Sequence, residues 1–328
     1  MEDTSDGSVK KDIVVGVDGS PESFAALRWA LREASLDSRH VNAVFGWTRS
    51  WSLGPEPQDD DEWDRTRVRI SSKLREWADT ACQGMDFDRN DLTLTSVHAS
   101  GASALMTMGS AAQQIVVGRR SVGRMTRWLT GSLSSSLAED ARVPVTIVKT
   151  PTDEASTVRQ QIARTLSPSR DDATFSSRRA DSLPAYDSEE SPIVVGVDGS
   201  ATSRRALRFA RDMAALRHRP LRVIMCWQLR DLGTVPGYER AVAPISQAQS
   251  YAQQIVERTV DEELPHTGGD IQAYAFHIPA AQGLIDASRY AAHIIVGTRG
   301  LSGMDARFLG SVSRQVVDLS ECSVTVVH

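Results

Sequence analysis

The residues from 294 to 311 read Ile294-Ile-Val-Gly-Thr-Arg-Gly-Leu-Ser-Gly-Met-Asp-Ala-Arg-Phe-Leu-Gly-Ser311. The apolar start is typical of a strand buried in a parallel sheet, and helical periodicity begins where the stretch ends. Between them, Gly297, Gly300 and Gly303 let the backbone approach a ligand closely and adopt a positive φ. Glycines that join a strand to a helix N-terminus favour an anion, because the N–H groups and dipole of the helix face it. The stretch therefore predicts an α/β domain with a phosphate-binding loop, in neither the Walker A nor the dinucleotide pattern.

The chain contains this module twice. Ile13 to Ser20 recurs without change as Ile193 to Ser200, and the Trp47 of the first copy matches the Trp227 of the second. Gly118 and the Gly-Ser pair at 131–132 likewise match Gly297 and the Gly-Ser pair at 310–311. A register that holds over the whole module indicates tandem domains rather than a solenoid.

Within each copy, segments with strand character alternate with segments of helical periodicity. This order predicts two Rossmann-like, doubly wound α/β domains, each with a five-stranded parallel sheet and right-handed crossovers. Ligands of such sheets lie beyond the carboxyl ends of the strands, at the point where the strand order reverses. Asp18 and Asp198 end the first strands and the glycine loops end the fourth, so we expect both motifs at the same edge.

The domain boundaries follow from composition. We expect a disordered N-terminus at 1–9, a first domain at 10–150, a flexible linker at 151–191 and a second domain at 192–328. The linker is rich in polar and charged residues, and its few apolar side chains cannot offset the entropy of ordering. A short docked helix within it, with Val158, Ile162 and Leu166 on one face, is the alternative. The acidic run at 59–62 is interpreted as a solvated loop.

The length, net charge and cysteine content are those of an ordinary globular chain. Its 328 residues suffice for two separate cores, and the net charge of -5 does not favour nucleic acid as a partner. The three cysteines lack metal or redox spacing and are expected to be reduced core residues of a cytoplasmic protein. The polar N-terminus is not a signal peptide, and the absence of a long apolar run predicts no membrane span.

Four features together resemble the universal stress protein family, in the tandem form common in actinobacteria. They are the aspartate after the first strand, the tryptophan after the second, the Gly-x2-Gly-x9-Gly-Ser loop, and the closing strands at 143–149 and 323–328. The resemblance implies binding of ATP, with Mg²⁺, by a nucleotide-dependent regulator of the stress response or growth arrest. It also implies that the two modules pair through their last strands as an intramolecular pseudo-dimer. A protein partner, unidentified, and a homodimer of the two-domain chain remain open.

The resemblance also implies a set of binding residues in each copy. In the second copy, Asp198 would face the ribose or a phosphate-bound Mg²⁺, backbone groups near Trp227 would meet the adenine, and the loop would hold the phosphates. The residues expected to contact the nucleotide are Gly16, Asp18, Gly118, Arg120, Gly123, Gly131, Ser132 and Ser134 in the first copy, and Gly196, Asp198, Gly297, Arg299, Gly300, Gly303, Gly310, Ser311 and Ser313 in the second. The alternative is that the aspartates only cap the following helices and the glycines only turn the chain.

The first copy departs from the pattern at one loop position. Ser121 stands where the second copy has Gly300. If that position requires a positive φ, a non-glycine residue costs about 1 to 2 kcal/mol. The first loop has four arginines, at 119, 120, 124 and 127, whose charge favours phosphate. We therefore expect the first copy to bind ATP more weakly than the second.

Two other classes of function remain open from the sequence. One is an enzyme, either a slow ATPase or a relative that transfers nucleotidyl groups. The other is an interaction scaffold with vestigial nucleotide sites. No glutamate is recognised beside either loop, and His98 and His277 are interpreted as neutral residues at equivalent strand ends, so no catalytic residue is assigned. Regulation by nucleotide binding is the preferred reading, with any hydrolysis slow and incidental.

Overall fold

The computed structural model describes residues 10–48, 59–119, 132–149, 191–265, 268–300 and 309–328. These residues divide into two compact units, which hold the first and the second copy of the module. The expected disordered segment at 1–9 and nearly all of the expected linker at 151–191 lie outside the described residues.

The first unit is a five-stranded parallel sheet covered by helices. Its strands are β1 (Ile13–Gly16), β2 (Val41–Trp47), β3 (Leu92–His98), β4 (Gln114–Gly118) and β5 (Val145–Val148). Its helices are α1 (Pro21–Leu36), α2 (Asp60–Ala81), α3 (Gly101–Met108) and α4 (Ser132–Asp140). The strands lie in the order β3-β2-β1-β4-β5, and every pair is parallel.

The second unit repeats this plan. Its strands are β6 (Ile193–Gly196), β7 (Leu221–Trp227), β8 (Ile271–His277), β9 (His293–Gly297) and β10 (Ser323–Val327). Its helices are α5 (Ala201–Leu216), α6 (Ile245–Glu263), α7 (Ala280–Ala287) and α8 (Ser311–Leu319). The order is β8-β7-β6-β9-β10, again parallel throughout. Two tandem α/β domains with five-stranded parallel sheets are thus confirmed; the pairing of the modules stays a prediction.

The first helix of each unit begins as its sequence predicts. The Ser20 hydroxyl oxygen accepts a hydrogen bond from the N–H of Ser23 at 3.2 Å, and Pro21 is the first helical residue. Proline is tolerated there because its missing N–H would have had no partner within the helix. Ser200 caps α5 in the same way, through the N–H of Ser203 at 3.2 Å.

The interpretation of the acidic run as a solvated loop is wrong. Asp59 caps α2 by accepting a hydrogen bond from the N–H of Glu62 at 2.8 Å, and residues 60–62 form the first turn of that helix. Carboxylates there interact favourably with the positive end of the helix dipole, which explains why a charge run begins a helix. Local polarity alone did not distinguish a loop from a helix start.

The strand order determines where a candidate ligand site lies in each unit. In each unit the chain passes from the first strand outward to the second and third, and returns to the other side of the first strand with the fourth. The carboxyl ends of the first and fourth strands are therefore neighbours, with a crevice beyond them. Among the helices of the described residues, none is long and apolar enough to cross a membrane.

Candidate functional site

The aspartate after the first strand makes the same turn in both units. One carboxylate oxygen of Asp198 accepts a hydrogen bond from the N–H of Ser200 at 3.0 Å, and Asp18 accepts one from Ser20 at 3.0 Å. Each aspartate precedes the serine that caps the helix, so neither is itself the cap. Its carboxylate is held at the carboxyl edge of the sheet, where the fourth strand also ends. Asp198 is half-buried and Asp18 is exposed.

The glycine between the aspartate and the serine is a requirement that sequence reasoning missed. Gly19 and Gly199 both have φ of 85°, in the left-handed region that favours glycine. A Cβ on Gly19 would also lie 2.6 Å from the Trp77 ring. The signal was available, because Asp-Gly-Ser occurs unchanged in both copies at the end of a buried strand.

The loop after β9 needs its glycines for close approach and not for a positive φ. The positive-φ glycines of the described residues do not include Gly297, Gly300 or Gly310. A Cβ on Gly297 would lie 3.0 Å from the Thr202 side chain, and one on Gly300 would overlap the Asp198 carboxylate oxygen Oδ2. The left-handed strain considered for Ser121 is therefore absent at the matching position of the second unit. Ser121 itself lies outside the described residues.

Two hydroxyls at the start of α5 hold this loop. The Thr202 hydroxyl donates to the carbonyl oxygen of Arg299 at 2.6 Å, and the Ser200 hydroxyl donates to the same oxygen at 3.3 Å. Sequence reasoning did not assign Thr202. Its position, two residues after the helix cap, gave no local indication of a contact with a residue almost one hundred positions later in the chain.

The corresponding residue of the first unit is Glu22, which sequence reasoning did not consider. A Cβ on Gly118 would overlap the Glu22 backbone carbonyl, which places the first turn of α1 against the end of β4. Because the two residues are far apart in the chain, only the packing of α1 on β4 brings them together.

The far end of the second loop leads into α8. Gly310 precedes this helix, and its N–H donates to the Thr298 carbonyl at 2.8 Å. Within the described residues no side chain caps α8, so its N-terminal N–H groups and dipole offer what an anion site requires. Ser311 is exposed there. The Ser313 hydroxyl, in contrast, is buried and donates to the Gly297 carbonyl at 2.7 Å, so a phosphate contact from it would require that bond to break.

The remaining expected contact residues divide into three groups. Gly16 and Gly196 pack against helices, since a Cβ on them would lie 2.9 Å from Leu105 and 2.8 Å from Leu284. Ser132 begins α4 and Ser134 is buried within it. The residues that lie outside the described ranges are Arg120, Gly123, Gly131 and Gly303.

A tryptophan–histidine stack ends the second and third strands of both units. Trp47 stacks on His98 with ring centroids 4.3 Å apart, and Trp227 stacks on His277 at 4.4 Å. Both tryptophans are buried and both imidazoles are exposed. These histidines therefore cover the tryptophan rings.

The described residues contain no group of three or more His, Cys, Asp or Glu side chains that could hold a metal ion. Burial raises the pKa of the Cys226 thiol to about 11 and that of the Cys322 thiol to about 12, so neither is a thiolate near neutral pH.

Comparison with known proteins gives one consistent result. The sequence model of the universal stress protein family matches residues 10–149 and 191–328. A universal stress protein of Mycolicibacterium smegmatis is 28% identical, with 96% of each chain covered. One of Mycobacterium tuberculosis H37Rv is also 28% identical, over 99% of this chain and 98% of the relative. The crystal structure of a universal stress protein from Archaeoglobus fulgidus covers 96% of this chain and 97% of its own, with a TM-score of 0.62 at 16% identity.

Proposed function

This chain belongs to the universal stress protein family, and from that premise we propose that it binds ATP and acts as a nucleotide-dependent regulator of the stress response or growth arrest. Each unit would take one nucleotide at the carboxyl edge of its sheet, with the phosphates at the glycine loop. The base would lie toward the end of the second strand. The protein would act in the cytoplasm on a protein partner.

The contact between Asp198 and Gly300 carries the proposal. Gly300 leaves no room for a side chain beside the carboxylate, so the loop backbone and a negative oxygen lie side by side. Backbone N–H groups of a loop can donate hydrogen bonds to phosphate oxygens. A carboxylate beside phosphates can bind Mg²⁺, because this ion is commonly held by one or two carboxylates together with substrate phosphates. A magnesium–triphosphate group offers both kinds of partner at once. The N-terminus of α8, which no side chain of the described residues caps, adds further N–H donors.

Ligand binding becomes regulation if the nucleotide favours one conformation of its loop. A ligand shifts such an equilibrium by its difference in affinity for the two states. The loop reaches across from Gly297 to Gly310, and its described part is held by hydroxyls of α5. A partner that recognises the ordered loop would then bind in response to ATP.

The test is calorimetric titration of MgATP into the full chain and into two variants of the second unit. In Gly300→Ala the new methyl group displaces the Asp198 carboxylate, and we expect the affinity of the second site to fall by about tenfold or more, as for one lost charge-assisted interaction. Gly268→Ala is the matched control, because a Cβ there meets nothing within 4 Å. We expect a stoichiometry near two in the full chain. Absence of heat at millimolar ATP in the unaltered protein would refute the function.

A further inference from the structure

The two hydroxyls that converge on Arg299 have a consequence for the nucleotide site. Thr202 donates to the Arg299 carbonyl at 2.6 Å, and Ser200 donates to it at 3.3 Å, while the two hydroxyl oxygens lie 3.2 Å apart. A Cβ on Gly297 would lie 3.0 Å from Thr202, so the same residue packs on the loop at its first glycine. The first turn of α5 therefore contacts the loop at Gly297 and at Arg299.

This contact sets the direction of one peptide group. The C=O and the N–H of a trans peptide point in opposite directions across a plane. Because the Arg299 carbonyl points to the hydroxyls of α5, the N–H of Gly300 points away from that helix. Gly300 is the second glycine of the loop, and its α-carbon lies beside the Asp198 carboxylate. The hydroxyls thus hold this N–H in a fixed orientation before any ligand arrives.

The first unit has a different residue at the position of Thr202. Glu22 replaces Thr202, and a carboxylate has no proton to donate to a carbonyl oxygen at neutral pH. The remaining serine also differs, since the Ser20 hydroxyl donates to the Asp18 carboxylate, whereas Ser200 donates to the loop. The two units therefore differ at a position that lies outside the glycine pattern itself.

We propose that Thr202 is a positioning residue, which preorganises the Arg299–Gly300 peptide for a nucleotide phosphate, and that Glu22 in its place makes the first site the weaker one. The inference rests on the proposed function, because it concerns the affinity of the same sites. It assigns the difference between the sites to the first helical turn as well as to Ser121. Preorganisation raises affinity by removing the cost of ordering the loop on binding.

The experiment uses three variants of the full chain: Thr202→Val, Thr202→Ser and Glu22→Thr. Valine keeps the shape and removes the hydroxyl, serine keeps the hydroxyl, and threonine in the first unit introduces one. MgATP is titrated into each variant, and binding is monitored by amide hydrogen exchange. Peptides covering 297–313 and 118–134 report the two sites separately. Thermal unfolding without nucleotide shows whether each variant is folded.

We expect Thr202→Val to raise about tenfold the ATP concentration at which the second loop is half-protected from hydrogen exchange, while the first loop is unchanged. A factor of about ten corresponds to the loss of one hydrogen bond. Thr202→Ser should restore the second loop to within about twofold. Glu22→Thr should tighten the first site. Unchanged protection in Thr202→Val, or serine no better than valine in folded protein, would overturn the inference while the proposed function stands. If ATP protects neither loop of the unaltered protein, the proposed function fails and the inference with it.

Discussion

Acid should weaken the second unit more than the first, through one buried side chain. His293 at the start of β9 is 0% exposed, and its Nε2 lies 2.7 Å from the Thr325 hydroxyl oxygen. Burial, with a smaller contribution from the charge of Arg217, holds the pKa of His293 well below 6.5. The matching residue of the first unit is Gln114, whose side-chain oxygen accepts a hydrogen bond from Thr146 at 2.7 Å. Glutamine makes the contact without a group that titrates.

The sign and the size follow from proton linkage. The unfolded chain binds a proton at His293 below pH about 6.5 and the folded chain does not, so the contribution to stability is complete above that pH and is lost as the pH falls. Between pH 7 and pH 5 the free energy of unfolding should drop by up to about 2 kcal/mol from this residue alone. The loss continues until the pH reaches the lowered pKa of the folded state.

The assay compares the protein with His293→Gln, which introduces the side chain of the first unit. Urea unfolding is followed at pH 7 and pH 5 through amide exchange of peptides in β9 and β10, since a two-domain chain need not unfold in one step. Over this range the free energy of unfolding of the variant should fall by up to about 2 kcal/mol less than that of the unaltered protein. The same pH dependence in both proteins would refute the argument that His293 stays neutral in the folded state. Peptides of β4 serve as the internal control.

Two further predictions concern glycine and cysteine. Gly199→Ala should lower the free energy of unfolding by about 1 to 2 kcal/mol, because the φ of Gly199 is positive. Gly19→Ala should lower it by more, because the Cβ of residue 19 would also lie 2.6 Å from Trp77. Thermal unfolding compares the two variants, and equal losses of stability would contradict the Trp77 contact. Cys226 is a half-buried free cysteine whose pKa is raised to about 11 by desolvation. It should react with iodoacetamide far more slowly at pH 8 than an exposed thiol of ordinary pKa does, and rapid labelling of folded protein, measured by mass spectrometry, would contradict the raised pKa.

The glycine loop shows that one motif can have two physical explanations. The spacing of Gly297, Gly300 and Gly310 predicted a phosphate loop at the end of the fourth strand; the structure places Gly297 at the end of β9 and Gly310 before α8, and phosphate binding stays a prediction. The physical reason differs from the one first considered, because close neighbours and not a positive φ exclude side chains at these positions. If the first loop is arranged like the second, the cost of Ser121 should depend on whether the Asp18 carboxylate can rotate away.

The sequence by itself determined the fold and its duplication. Buried strands, helical periodicity and the Asp-Gly-Ser turn are local patterns, since each reports on residues that are close in the chain. They sufficed to predict two α/β domains and the sheet edge at which Asp198 and the glycine loop meet. The acidic run at 59–62 shows the limit of such patterns, because composition does not distinguish a loop from a helix N-terminus.

Only the tertiary structure decided which polar atoms form hydrogen bonds and with which partners. The Ser313 hydroxyl is bound to the Gly297 carbonyl, and the Thr202 hydroxyl to Arg299, so one residue expected at the phosphates is already engaged and one not expected there orients the loop. These contacts join residues that are distant in the chain. A hydrogen bond forms within about 3 Å and depends on angle, and no one-dimensional pattern specifies such a distance between two segments that meet only when the sheet is complete.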